Sequence, residues 1–96
     1  MTRQEKRNYV MRDNHGEFIL EDEQEFLKYK IMQDIVRLRR EKGMTQDELA
    51  QRTGIARPNI ARMENGSYNP TIEMLVRLAY GLDMRLEINW VADNKK

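Results

Sequence analysis

"TQDELAQRTGIARPNIARMENG", Thr45 to Gly66, decides how the rest of the sequence is read. Thr45 and Glu48 stand in the order of a capping box, in which the hydroxyl accepts from the backbone N–H of the third helical residue and the carboxylate accepts from that of the threonine. Met44 and Leu49 occupy the two positions of a hydrophobic staple around that start. A helix therefore begins at Thr45, and Gly54 stops it. A second begins near Pro58, because proline suits the first helical position and pushes the preceding Arg57 toward extended geometry. Asn65 and Gly66 end it, both tolerating left-handed backbone. Ala50 is small where the two helices would cross, and Ile60 turns inward from the second to lock it.

Upstream, Asp22 with Glu25 three residues later reads as a helix start. Leu27, Ile31, Ile35 and Leu38, flanked by Met32 and Val36, then recur at spacings of three and four and give one apolar face up to Gly43. Downstream, Asn69-Pro70-Thr71 announces another helix carrying Ile72, Leu75, Val76, Leu78, Ala79 and Leu82 on one face, with Gly81 weakening its last turn. "MRLEINW", Met84 to Trp90, changes period to two and reads as a strand. A lone strand leaves backbone groups unpaired, so it needs a partner: an N-terminal hairpin or the same strand of another copy. Tyr9 to Met11 and Phe18 to Leu20 flank the turn-forming Asp13-Asn14-His15-Gly16 and read as such a hairpin, a frayed helix from Thr2 being the alternative. The chain thus divides into an arm or hairpin (1–21), a helical domain (22–83), and a strand with its tail (84–96).

Ninety-six residues, 34% charged and 40% hydrophobic, suit one small domain. No apolar run is long enough to span a bilayer, and "MTRQEKRNYV" lacks a secretion signal, so the expectation is a cytoplasmic protein with no membrane partner. The absence of cysteine excludes disulfides, thiolate zinc sites and a cysteine nucleophile. His15, the only histidine, sits in a turn with no metal cluster near it, and there is no phosphate-binding glycine loop. The carboxylates from Glu21 to Glu25 are explained as a helix start that favours negative charge. No enzyme, cofactor or metal is expected. The net charge is only +1, so affinity for nucleic acid must rest on local clustering. Arg37, Arg39, Arg40, Lys42, Arg52, Arg57 and Arg62 supply that cluster, opposed by Glu41, Asp47 and Glu48.

Two short helices joined by a tight glycine turn have a use when the second must stand proud of the body, where it can enter the roughly 12 Å wide major groove of DNA. Leu38 to Leu82 resembles the Xre-type, lambda-repressor-like helix-turn-helix family through "GMTQDELAQRTGI", "NIARMENG" and "NPTIEMLVRLA". With "GLDMRLEI" added, the sequence is most similar to HigA-like antitoxins of type II toxin–antitoxin pairs. The resemblance implies a mainly α fold: a lambda-repressor-like bundle with a short C-terminal dimerising strand, preceded here by the N-terminal hairpin. It implies a homodimeric, sequence-specific repressor of a double-stranded DNA operator, one that neutralises a cognate toxin and represses its own operon. A free-standing or phage-type repressor without a toxin is the alternative within binding modules. A protein-interaction adaptor that no longer binds DNA is the alternative outside them.

Carried onto this sequence, the resemblance places Arg57, Pro58, Asn59 and Arg62 on the outward face of the recognition helix, where arginine can reach guanine edges and asparagine can pair with adenine. Gln46, at the start of the preceding helix, is placed on a phosphate. Asn65, Ser67, Tyr68 and Asn69 match the backbone-contacting loop, although turn chemistry alone explains the two asparagines. Arg39 is expected to form a structural ion pair with Glu64, and Arg37, Arg40, Lys42 and Arg52 to be a solvated face. Met63, Leu75 and Leu78 read as core. Three positions depart from the family pattern: Ala56 stands where serine or threonine caps the recognition helix, Pro58 replaces a side chain that often faces DNA, and Asp83 replaces a glycine. The dimer strand would comprise Met84, Arg85, Leu86, Glu87, Ile88 and Trp90. Antiparallel pairing centred on Leu86 sets Arg85 opposite Glu87 and Met84 opposite Ile88, with Trp90 at the ribbon's edge against the fourth helix or the hairpin.

Overall fold

The computed structural model describes residues 10–13 and 16–92. Val10–Asp13 (β1) and Gly16–Ile19 (β2) pair antiparallel, with Val10 opposite Ile19 and Asp13 opposite Gly16. Four helices follow: α1 (Leu20–Glu41), α2 (Gln46–Thr53), α3 (Arg57–Glu64) and α4 (Ile72–Gly81). The turn residues Asn14 and His15, and the segment in which a frayed helix was the alternative, lie outside the described residues. No helix among the described residues is long and apolar enough to cross a membrane.

The start of α1 corrects the sequence expectation. The helix runs straight out of β2 from Leu20, so Asp22 lies in its first turn beside Glu21 and Glu23 and does not cap it. Carboxylates there still complement the positive end of the helix dipole, while Arg39 and Arg40 complement the other end. Only the C-terminal half of α1 joins the bundle: Ile35 is buried, with Ile31 and Leu38 packed beside it. Leu27, expected on the core face, is exposed along with Phe26 and Tyr29, because the helix outruns the elements that could cover it.

The capping box of α2 is formed. Thr45 Oγ1 accepts from the Glu48 N–H at 3.0 Å, and Glu48 Oε1 accepts from the Thr45 N–H at 2.7 Å. Gly54 closes the helix with φ 74°, a backbone conformation that favours glycine, while a Cβ there would lie 3.1 Å from Arg77 Nη1, the far end of a half-exposed side chain. Thr53 supports the turn from inside: its buried hydroxyl donates to the Leu49 carbonyl at 2.8 Å and accepts from the Ile55 N–H at 3.2 Å. α3 begins one residue before Pro58. Arg57 is therefore already helical, and the extended geometry falls on Ala56 (ψ 137°), which makes no side-chain cap bond. At its other end Asn65 keeps a negative φ and Gly66 alone turns left-handed.

The core is Ile35, Leu49, Ile55, Ile60, Met63, Leu78 and Leu82, closed at one side by Met44. α2 packs against both α3 and α4, and α1 packs against α3. Where α4 meets α2, a Cβ on Gly81 would fall 2.5 Å from Thr53 Cγ2 and 3.0 Å from Leu49 Cδ1. Gly81 thus permits a close helix approach, a role that its reading as a weak last turn missed. Ile72 and Val76, expected on one apolar face with Leu75, Leu78 and Leu82, instead form an exposed stripe with Tyr80 at spacings of four. α4 has apolar residues on more than one face, and only the Leu78 and Leu82 side meets the bundle. After Leu82, Asp83 takes the left-handed conformation (φ 58°), at the position where the resemblance implies glycine. Its carboxylate meets Arg52 at 2.9 Å and Lys42 at 3.6 Å.

Met84 to Ala92 forms no ladder among the described residues, and β1 and β2 pair only with each other. The expectation of a strand over Met84–Trp90 is therefore corrected for the single chain, as is the expectation that Trp90 rests on α4 or the hairpin: it is 96% exposed. An extended segment gains ladder bonds only from a neighbour, and the hairpin does not supply one.

Candidate nucleic-acid interface

The orientation of α3 follows from what it buries. Ile60 and Met63 point into the core at 0% and 2% exposure, so Arg57, Pro58 and Arg62 project from the opposite side, with Asn59 half-buried at its margin. The structure thus brings these four expected residues together on one face. Arg57 Nε lies 3.3 Å from Asp47 Oδ1, in the first turn of α2. Arg62 Nη1 donates to Asn59 Oδ1 at 2.7 Å. Both contacts are exposed, and an exposed ion pair such as Arg57 with Asp47 is worth about 0–1 kcal/mol, so its exchange for a base edge or phosphate costs little. Pro58 between them presents only its ring.

Behind this face lies a polar cluster. Glu64, at the end of α3, accepts from Arg39 Nε through Oε2 at 2.7 Å and from Arg39 Nη2 through Oε1 at 2.9 Å. Arg39 Nη1 donates to the Met44 carbonyl at 2.8 Å, so one guanidinium ties α1, the turn before α2 and α3 together. The two side chains are 11% and 7% exposed, which makes the expected ion pair a nearly buried one. Burial on its own pushes the Glu64 carboxyl upward, but hydrogen bonds from Arg39 and Gln46 and the charges of Arg39 and Arg40 outweigh it and hold the group below the usual glutamate value. The hydrogen bond to Glu64 raises Arg39 in return.

Gln46, placed by resemblance on a phosphate, is engaged within the protein: its Nε2 donates to Glu64 Oε1 at 2.9 Å. Asp47 and Glu48 share its helix turn. The loop after α3 divides. Asn65 Oδ1 accepts from the Ser67 N–H at 3.0 Å and the Ser67 hydroxyl at 2.6 Å, closing the turn. Tyr68 packs against the core with its hydroxyl 3.3 Å from Met74 Sδ, while Asn65, Ser67 and Asn69 are exposed, the first two bonded to each other. The tail residues Met84, Arg85, Leu86, Glu87, Ile88 and Trp90 lie apart from this face and are exposed. Sequence reasoning missed Asp47 as the partner of Arg57 and Gln46 as a second partner of Glu64. Both contacts cross between helices, and no spacing along the chain encodes them. Among the described residues no group of His, Asp or Glu could hold a metal.

A family described as helix-turn-helix (HTH_3) matches residues 35–88. An HTH-type transcriptional regulator of Archaeoglobus fulgidus is 35% identical over 54 residues, covering 56% of this chain and 77% of the relative. Another, from Sinorhizobium fredii, is 43% identical over 49 residues, covering 51% and 64%. The restriction-modification controller protein C.Esp1396I is similar in structure, with a TM-score of 0.61 and 39% identity over 62% of this chain and 77% of that one. Its tetramer is known in complex with a natural 35 base-pair operator. The controller protein C.AhdI from Aeromonas hydrophila gives a TM-score of 0.60 and 30% identity over 62% and 91% of the two chains.

Proposed function

The chain belongs to the helix-turn-helix family of transcriptional regulators, and from that premise we propose that it acts as a dimer on a two-fold operator, with α3 reading base edges in the major groove. The observation that carries this reading is the convergence of Arg57, Asn59 and Arg62 on the one face of α3 that the core leaves open. Arg57 and Asn59 are the base-reading residues, each with a side chain that discriminates by hydrogen bonding in the major groove. Arg62, Ser67 and Asn69 flank them toward the phosphates. The adaptor alternative finds less support, since an adaptor needs no bases read and no basic face.

Two finer roles are compatible with this activity. The antitoxin role rests on the C-terminal segment, whose alternating Met84, Leu86 and Ile88 resemble the dimer strand of HigA-like proteins. The likeness to restriction-modification controllers, at 39% identity, favours a regulator of a restriction operon as the second reading. Co-purification with the product of the adjacent gene separates them: a small toxin captured in a stable complex supports the first, and an adjacent restriction or methylation gene with no complex supports the second. Footprinting of the DNA upstream of the chain's own gene tests the shared activity. Two protected patches about 34 Å apart on one face of the duplex are expected. The absence of any protected patch on that DNA would overturn the reading.

A further inference from the structure

A groove of about 520 Å³, room for the largest side chain, is lined by Leu27 and Ile31 of α1, Leu75 and Ala79 of α4, and Leu86 and Ile88 of the tail. Leu27 and Ile88 stay exposed beside it, and Trp90 and Val91, still more exposed, do not line it in their own chain. Strand alternation places Met84, Leu86, Ile88 and Trp90 on one face of the tail. In an antiparallel pair, directly opposed residues lie on the same face with Cβ atoms about 4.5–5.5 Å apart. The register that sets Met84 opposite Ile88, continued by two residues, sets Trp90 of one copy opposite Leu82 of the other. Leu82 follows the end of α4 and lines the groove. Within one chain, eight residues of strand would separate Leu82 from Trp90, roughly 26 Å, so the two-fold axis returns the indole to a place that its own chain carries it away from.

We propose that Trp90 of one copy seats in the groove between α1 and α4 of a second copy, so that each chain completes the apolar surface that the other leaves open. This rests on the reading that the chain dimerises through its tail, and it names the residue that anchors that dimer. A ribbon of five residues from each copy is small against the roughly 800 Å² that each partner buries in a stable interface. A seated tryptophan adds about 150–250 Å² of its own surface, and two-fold symmetry makes the contact twice. Charge agrees with the same register, since Arg85 of each copy meets Glu87 of the other. The exposure of Leu27, which no element of its own chain covers, is accounted for by the same contact.

The test uses the full chain, in which Trp90 is the only tryptophan, so its fluorescence reports this residue alone. Across a dilution series followed in parallel by sedimentation, dimer formation should shift the emission to the blue and shield the indole from acrylamide. A dimer whose Trp90 stays open to the quencher would overturn the proposal and leave the dimer standing. A chain that remains monomeric throughout the series would overturn both. Trp90→Ala should weaken the dimer about 30-fold or more, the scale of an interface hot spot. Leu27→Asp, at an exposed position outside the ribbon, should weaken it as well and leave Trp90 open to acrylamide. Mixing these two variants shows which copy supplies the groove. Neither homodimer has an intact contact, whereas the mixed dimer has one, between Trp90 of the Leu27→Asp copy and the groove of the Trp90→Ala copy. The mixed dimer should therefore be tighter than either homodimer and emit further to the blue. A mixed dimer no tighter than the homodimers, or a Trp90→Ala chain that dimerises as well as the unaltered one, would overturn the proposal.

Discussion

Glu64 accepts hydrogen bonds from Arg39 on α1 and from Gln46 on α2, and its environment sets two expectations. Removing one member of a buried ion pair leaves the other charge uncompensated, so Glu64→Ala should destabilise the fold by about 3–5 kcal/mol in denaturant titrations. Its acid response follows from the lowered carboxyl. The charged form is favoured in the folded state, so this contribution is fully present above the unfolded glutamate value of about 4.3 and is lost as pH falls through the lower folded value. Stability measured from pH 6 downward should therefore fall in acid, and Glu64→Gln should flatten that fall. An unchanged acid slope in the variant would contradict the assignment. At this scale the sequence was uneven in what it revealed. The Arg39–Glu64 pair was legible through family resemblance, and Thr45 with Glu48 through local spacing alone. The Gln46–Glu64 and Arg57–Asp47 contacts were not legible, because each depends on how far apart two helices settle.

Elements were readable where their boundaries are encoded locally. The box at Thr45, the glycine at Gly54 and the cap at Thr71, whose hydroxyl accepts from the Met74 N–H at 3.1 Å, all act within one helical turn. Faces were harder to read. Leu27, Ile72 and Val76 obey helical periodicity yet stay exposed, since periodicity shows that a helix has an apolar side and not whether another element reaches it. Gly81 is the converse, a residue with no apolar side chain whose smallness sets the approach of α4 to α2. Gly81→Ala should cost about 1–3 kcal/mol through overpacking, in spite of alanine's better helix propensity. A thermal midpoint equal to or above that of the unaltered chain would show that Thr53 and Leu49 move aside freely.

For the whole molecule, the exposed tail is the feature that a single chain leaves unexplained. Arg85 and Glu87 pair with each other at 2.9 Å within the chain, both well exposed. In a two-fold ribbon centred on Leu86 each would exchange that partner for its counterpart in the second copy, and Met84 and Ile88 would meet. The chain should therefore sediment as a dimer at micromolar concentration, and Leu86→Asp should shift it to monomer without unfolding the bundle. Sedimentation as a monomer before any substitution would contradict that arrangement. On the proposed function dimerisation matters because two copies of α3, one helical turn apart on the duplex, would give the operator a two-fold form. The most direct test of base reading by α3 is a set of affinities for the operator and a mismatched duplex at several salt concentrations. Arg57→Ala and Asn59→Ala should each cost about 1–3 kcal/mol on the operator and leave mismatched binding nearly unchanged. Retention of the full operator preference by both variants would contradict it.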